Sequence, residues 1–176
     1  MPQKILILGI GNVLYADEGI GVHFVKYFQQ KYRLSGAPSV EFVDGGTLAQ
    51  ALIPIIAQHD HVIIADTVNS NSGKVGDAFF FNFDQVPHHI DFQGSAHEVE
   101  MLHTLEMMDM VGDRPTTYIL GVIPQVLEAM SFELTDAVQN AVPYMERTLI
   151  DHLASLGVTC EQQAEPQLQA IAYASV

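Results

Sequence analysis

Lys4-Ile5-Leu6-Ile7-Leu8-Gly9-Ile10-Gly11-Asn12 is the stretch on which the reading of the fold turns. An apolar run without polar alternation, stopped by glycines, is the pattern of a parallel-sheet strand buried on both faces and followed by a turn. Ile20, Phe24, Tyr27 and Phe28 then recur at spacings of three and four, predicting an amphipathic helix from about Gly19 to Tyr32. The alternation repeats downstream. Val40 to Val43 is a second apolar run stopped at Asp44-Gly45-Gly46, and Leu48, Leu52, Ile55 and Ile56 are expected to form the inner face of the next helix. His61 to Ala65 reads as a third strand and Ala78 to Phe83 as a fourth, separated by a polar loop from Asn69 to Gly76. After an irregular segment from Gln85 to Ala96, a helix is predicted from His97 to about Val111, a strand from Tyr118 to Ile123, and a long helix from Thr135 to Leu156. Thr135 reads as its cap, and Pro143 predicts a kink or a late start.

Strands alternating with helices in this way select a single-domain, doubly wound α/β fold. It should have a mostly parallel twisted sheet of about five strands with helices on both faces, because parallel strands need crossover helices. Residues 1–160 are assigned to this one domain and 161–176 to a loosely ordered C-terminal tail without a clear pattern. In such sheets ligands bind at the carboxyl ends of the strands.

The chain has 176 residues, 48% hydrophobic and 16% charged, which is the balance of a globular domain. No stretch reaches the roughly 18 to 20 apolar residues of a membrane span. The N-terminus has no secretory h-region, and the single cysteine, Cys160, rules out an internal disulfide, so a cytoplasmic location is expected. Twenty-one Asp plus Glu against seven Lys plus Arg, a formal charge of −14, repel phosphate backbones and anionic lipid. Nucleic acid and membranes are therefore not expected as partners.

The chemistry-bearing residues gather at the predicted strand ends. Gly9-Ile10-Gly11 invites a dinucleotide-binding reading, but Leu14 stands where the third glycine should be, and Asp17-Glu18 would repel a pyrophosphate at the helix start. The second strand ends at Asp44 and the third at Asp66, so acidic loops follow three strands on one edge. Each carboxylate alone could be a helix cap; several converging suit a cation or a basic ligand. Among the eight histidines, His97 is singled out because the loop Gly94-Ser95-Ala96 can carry its imidazole toward that edge. His97-Glu98 begins like a zincin helix, but the next histidine, His103, is six residues on and faces about 240° away round a helix. His23 and His152 read as surface or half-buried helix positions. One imidazole with two carboxylates suits nickel, zinc, manganese or iron, without a choice among them.

With Gly9-Ile10-Gly11-Asn12, Asp17-Glu18-Gly19-Ile20-Gly21-Val22, Val43-Asp44-Gly45-Gly46-Thr47, Ile63-Ile64-Ala65-Asp66, Ser95-Ala96-His97 and Gly121-Val122-Ile123-Pro124 in this order, the chain resembles the nickel-iron hydrogenase maturation endopeptidases up to about Thr159. The resemblance implies that Glu18, Asp66 and His97 are metal-contacting residues and that Asp44 is an acidic residue of the substrate-facing cleft. It further implies one cut near the C-terminus of the hydrogenase large-subunit precursor. The metal would be nickel carried by that substrate, with other divalent ions as substitutes, and the enzyme would act as a monomer. Cleavage would be metal-assisted or would use Asp17 or Asp44 as general base. The competing reading is a non-catalytic α/β module that binds a metal or a nucleotide.

Overall fold

The structure is a computed structural model that describes residues 1–91, 96–125 and 130–175, with the side chains of 91 and 96–98 outside the description. In chain order the elements are β1 (Lys4–Ile10), α1 (Ile20–Lys31), β2 (Tyr32–Gly36), β3 (Ser39–Gly46), α2 (Ile53–Ala57), β4 (His61–Thr67) and β5 (Asn69–Ser70). There follow β6 (Ala78–Asn82), β7 (Ile90–Asp91), α3 (Ala96–Val111), β8 (Thr116–Val122), α4 (Asp136–Ser155), β9 (Val158–Gln162) and α5 (Leu168–Tyr173). The main sheet has five strands in the order β3-β1-β4-β8-β6. Pairs β1–β3, β1–β4 and β4–β8 are parallel, while β6 runs antiparallel to β8 at the edge. This is the expected α/β architecture.

Each central strand presents alternate residues to two cores, as the two-residue period of a strand requires. Ile5, Ile7, Ile63, Leu120 and Val122 meet α1 and α4 on one face. Leu6, Leu8, Val62, Ile64 and Ile119 meet α3 and the short α2 segment on the other. At about 25 cal/mol per Å² of buried apolar surface, these two layers are the main source of stability. Among the described residues no helix is long and apolar enough to cross a membrane.

Three expectations are corrected. The helix expected after β3 is brief: Leu48 is 67% exposed, Ala49–Leu52 forms a 3-10 turn, and α2 spans Ile53–Ala57 with Pro54 in its first turn, where proline starts helices well. α4 starts at Asp136 and not after Pro143, and it runs through that proline to Ser155; burial of Val138, Val142, Met145, Leu149 and Leu153 outweighs the one donor that proline removes. The tail is not loose. β9 pairs antiparallel with β2 from Tyr32↔Gln162 to Gly36↔Val158, and α5 buries Ile171 and Ala172.

Candidate functional site at the carboxyl edge of the sheet

Asp17 and Glu18 sit in a 3-10 turn, Ala16–Gly19, between the end of β1 and the start of α1. Two glycines let this turn lie against the strand ends. A Cβ on Gly11, whose φ is +151°, would stand 2.1 Å from the Glu18 carbonyl oxygen. A Cβ on Gly21 would stand 2.2 Å from the Ala65 carbonyl oxygen and 2.3 Å from that of Ile10. All three distances are far inside van der Waals contact, so a methyl group cannot fit at either glycine without moving backbone. The glycines therefore serve the close approach of the acidic turn to β1 and β4. The space a pyrophosphate would need beside Gly11 holds the Glu18 backbone.

Glu18 is 8% exposed and Asp66 5% exposed, so both are buried carboxylates. Asp66 lies one residue from the end of β4, opposite Gly121 of β8, and accepts a hydrogen bond from the Thr67 amide at 2.7 Å. It lines a gap of about 10 Å³ with Ile64, Phe83, Met101, Leu105 and Ile119. Met101 is one helical turn beyond His97, so the start of α3 stands beside Asp66; the His97 side chain lies outside the described residues. The structure thus brings the Glu18 turn, Asp66 and the first turns of α3 to one edge.

Asp17 has a different environment. It is fully buried, and its carboxylate accepts from the Thr135 amide at 2.8 Å, the Thr135 hydroxyl at 2.7 Å and the Gln125 amide at 2.9 Å. The Thr135 hydroxyl, expected to cap α4, is used in this tie instead. Asp17 holds the chain after β8 against the chain after β1.

Asp44, the second candidate base, is 46% exposed and pairs with Lys26 of α1 at 3.3 Å. It also accepts from the Gly46 amide at 3.1 Å. Asp44 stands opposite Gly9, which is opposite Ala65, so two strand spacings of about 4.8 Å separate Asp44 from the Asp66 row. Lys26 draws Asp44 to the α1 face, whereas Asp66 shares the α3 face with Ile64. The two carboxylates therefore lie on opposite faces of the sheet near the same edge.

His23, expected at a surface or half-buried position, is fully buried in α1, and a Cβ on Gly19 would come within 2.8 Å of its Nε2. Burial, reinforced by the Lys26 charge and partly opposed by Asp44, pushes its pKa down to about 4. It is a neutral histidine packed beneath the acidic turn. Among the described residues no three His, Cys, Asp or Glu side chains are grouped closely enough to hold a metal.

Thr135 and Gln125 went unnoticed as site residues because nothing local marks them. Each lies more than a hundred residues from Asp17 along the chain, and ordinary turn and cap chemistry explains them equally well in sequence.

Comparisons with known proteins bear on the family and the fold. A family model described as hydrogenase maturation protease matches residues 22–152. Protein HydD of Wolinella succinogenes is 46% identical over 138 residues, covering 78% of this chain and 87% of that protein. The hydrogenase 2 maturation protease of Escherichia coli is 35% identical over 149 residues, covering 84% of this chain and 89% of that protein. The solved structure of the hydrogenase maturating endopeptidase HybD from E. coli superposes with a TM-score of 0.80 at 31% identity, covering 93% of this chain and 99% of that one.

Proposed function

We infer that this chain, which belongs to the hydrogenase maturation protease family, removes the C-terminal extension of a nickel-iron hydrogenase large-subunit precursor after nickel insertion. The observation that carries the reading is the placement of Glu18 and Asp66, two buried carboxylates, at the ligand-binding edge of a doubly wound sheet. With the His97 imidazole they make a set of two oxygen ligands and one nitrogen, which suits a divalent ion such as nickel held in the substrate. An ion with open coordination positions then acts as a recognition handle. Precursor without metal lacks that handle and is passed over.

Hydrolysis either uses the substrate's nickel to polarise the scissile carbonyl or uses Asp44 as general base. Asp44 is the better base candidate of the two aspartates because solvent reaches it, whereas Asp17 is committed to three hydrogen bonds inside the fold. The scissile peptide docks in the cleft bordered by the segment from Gln85 to Ala96, of which 92–95 lie outside the described residues, with extended pairing along a strand edge as its docking mode. We take the enzyme to work as a cytoplasmic monomer; sedimentation at micromolar concentration should return 19.3 kDa.

The test is incubation of the purified protein with nickel-loaded and nickel-free precursor. A size shift of the loaded form alone supports the reading, and equal cutting of both removes nickel from recognition. Glu18→Gln and Asp66→Asn should each abolish processing with the fold intact, and full-rate cutting by either would take that residue out of the site. Asp44→Asn separates the two chemical routes: a loss of about 100-fold or more assigns the general base to Asp44, and an unchanged rate assigns hydrolysis to the metal.

A further inference from the structure

The turn that carries Glu18 is strained. Ala16 has a φ of +49°, the one positive φ at a non-glycine residue among the described residues; such a conformation costs about 1 kcal/mol or more and persists only where its surroundings enforce it. The enforcing partner is the segment 131–135. The Ala16 amide donates to the Ser131 carbonyl at 2.7 Å, the Ser131 amide donates to the Leu14 carbonyl at 3.0 Å, and Thr135 donates twice to Asp17. One side of this segment thus defines where Asp17 and Glu18 stand.

Its other side is held by the C-terminal helix. The Gln169 amide nitrogen donates to the Phe132 carbonyl and its oxygen accepts from the Leu134 amide, both at 2.9 Å. One side chain therefore satisfies a backbone acceptor and donor two residues apart, as a neighbouring strand would. Tyr173 adds a hydroxyl bond to Glu133 at 3.2 Å, and buried Ile171 and Ala172 fix α5 in place. Gln169, Ile171, Ala172 and Tyr173 all lie beyond residue 152, where the family-model match ends, whereas the segment they hold lies within it.

We propose that Gln169 is a positioning residue for this site: it clamps the segment 131–135, which in turn keeps the strained Ala16 turn closed and Glu18 at the carboxyl edge. The consequence for catalysis rests on the role of Glu18 proposed above; the mechanical part does not. Loss of the clamp frees the segment to move outward, Ala16 relaxes to negative φ, and Glu18 leaves its place. Misplacing a ligating group by about 1 Å costs up to about 100-fold in rate.

The experiment combines Gln169→Ala with the double variant Gln169→Ala/Ala16→Gly, since glycine holds positive φ without the Cβ penalty. Amide exchange by mass spectrometry and processing of nickel-loaded precursor are measured on the full chain. In Gln169→Ala, exchange should rise in the peptide covering residues 12–19 and not in β1, β4 and β8. The kcat should fall about tenfold with KM within twofold of wild type. The double variant should regain at least half of the lost kcat. If Gln169→Ala does not fold, Gln169→Met, which keeps the length and packing of the side chain and loses both bonds, should give the same pattern. Unchanged exchange over 12–19, exchange rising throughout the sheet, or no recovery in the double variant would each overturn the proposal. If wild-type protein fails to cut the loaded precursor, the functional reading fails, and the exchange data still decide the clamp.

Discussion

His23 shows how a single buried group makes the molecule sensitive to acid. Its folded-state pKa of about 4 lies below the ordinary 6.5 because burial disfavours the imidazolium. The unfolded chain therefore takes up a proton near pH 6.5 that the folded chain refuses. The associated stability is complete above about pH 6.5 and declines as the pH falls toward 4, by about 3 kcal/mol at most. His23→Leu should consequently lose less stability than wild type between pH 7 and 4.5, read as a smaller drop in the urea midpoint; equal drops would show that His23 is protonated in the fold. His152 has its pKa lowered too, by burial and the neighbouring His61, so the slope will be reduced without vanishing. At this scale residue type marked the carboxylates at the strand ends and left their tasks open. Asp17 and Glu18 are neighbours in sequence, but Asp17 is spent on Thr135 and Gln125. Only the tertiary structure shows that Asp17 is an internal tie.

Elements meet through a few joints that can be tested singly. Glu146 of α4 accepts from Lys31 at 2.7 Å and from the Tyr32 hydroxyl at 3.0 Å, binding the end of α1 and the start of β2 to α4. Burial works against the Lys31 charge, yet its bonds to Glu146 and Tyr27 push its pKa above the usual lysine value; burial and Glu146 together push Tyr32 up to about 12. Glu146→Ala leaves a half-buried ammonium without its partner and should destabilise by about 2 kcal/mol in urea unfolding. Gly21→Ala should cost about 3 kcal/mol or more, or prevent folding, because the added methyl meets the carbonyls of Ala65 and Ile10. A variant as stable as wild type would show that α1 can ride further from the sheet. Strands such as β1 and β4 were legible because a short apolar run bounded by polar or glycine residues is a local signal. The β2–β9 ribbon was not, because its residues are mostly exposed and its partners lie at opposite ends of the chain.

Across the whole molecule, a charge of −14 on 176 residues places like charges close together in the folded state. Thermal stability should therefore rise by a few degrees as salt increases from about 10 to 200 mM, where the Debye length falls from about 30 Å to under 10 Å. A melting temperature independent of salt would show that the acidic groups are already locally balanced. The amino-acid pattern by itself determined the α/β class, the run of buried parallel strands and the edge at which Glu18, Asp44 and Asp66 appear, because periodicity and chain direction are local properties. Tertiary structure alone decided the strand order, the antiparallel β6, the opposite faces taken by Asp44 and Asp66, and the packing of α5 against the segment 131–135. Those features depend on which distant backbone groups and apolar faces satisfy one another, and that choice is made only when the chain closes on itself.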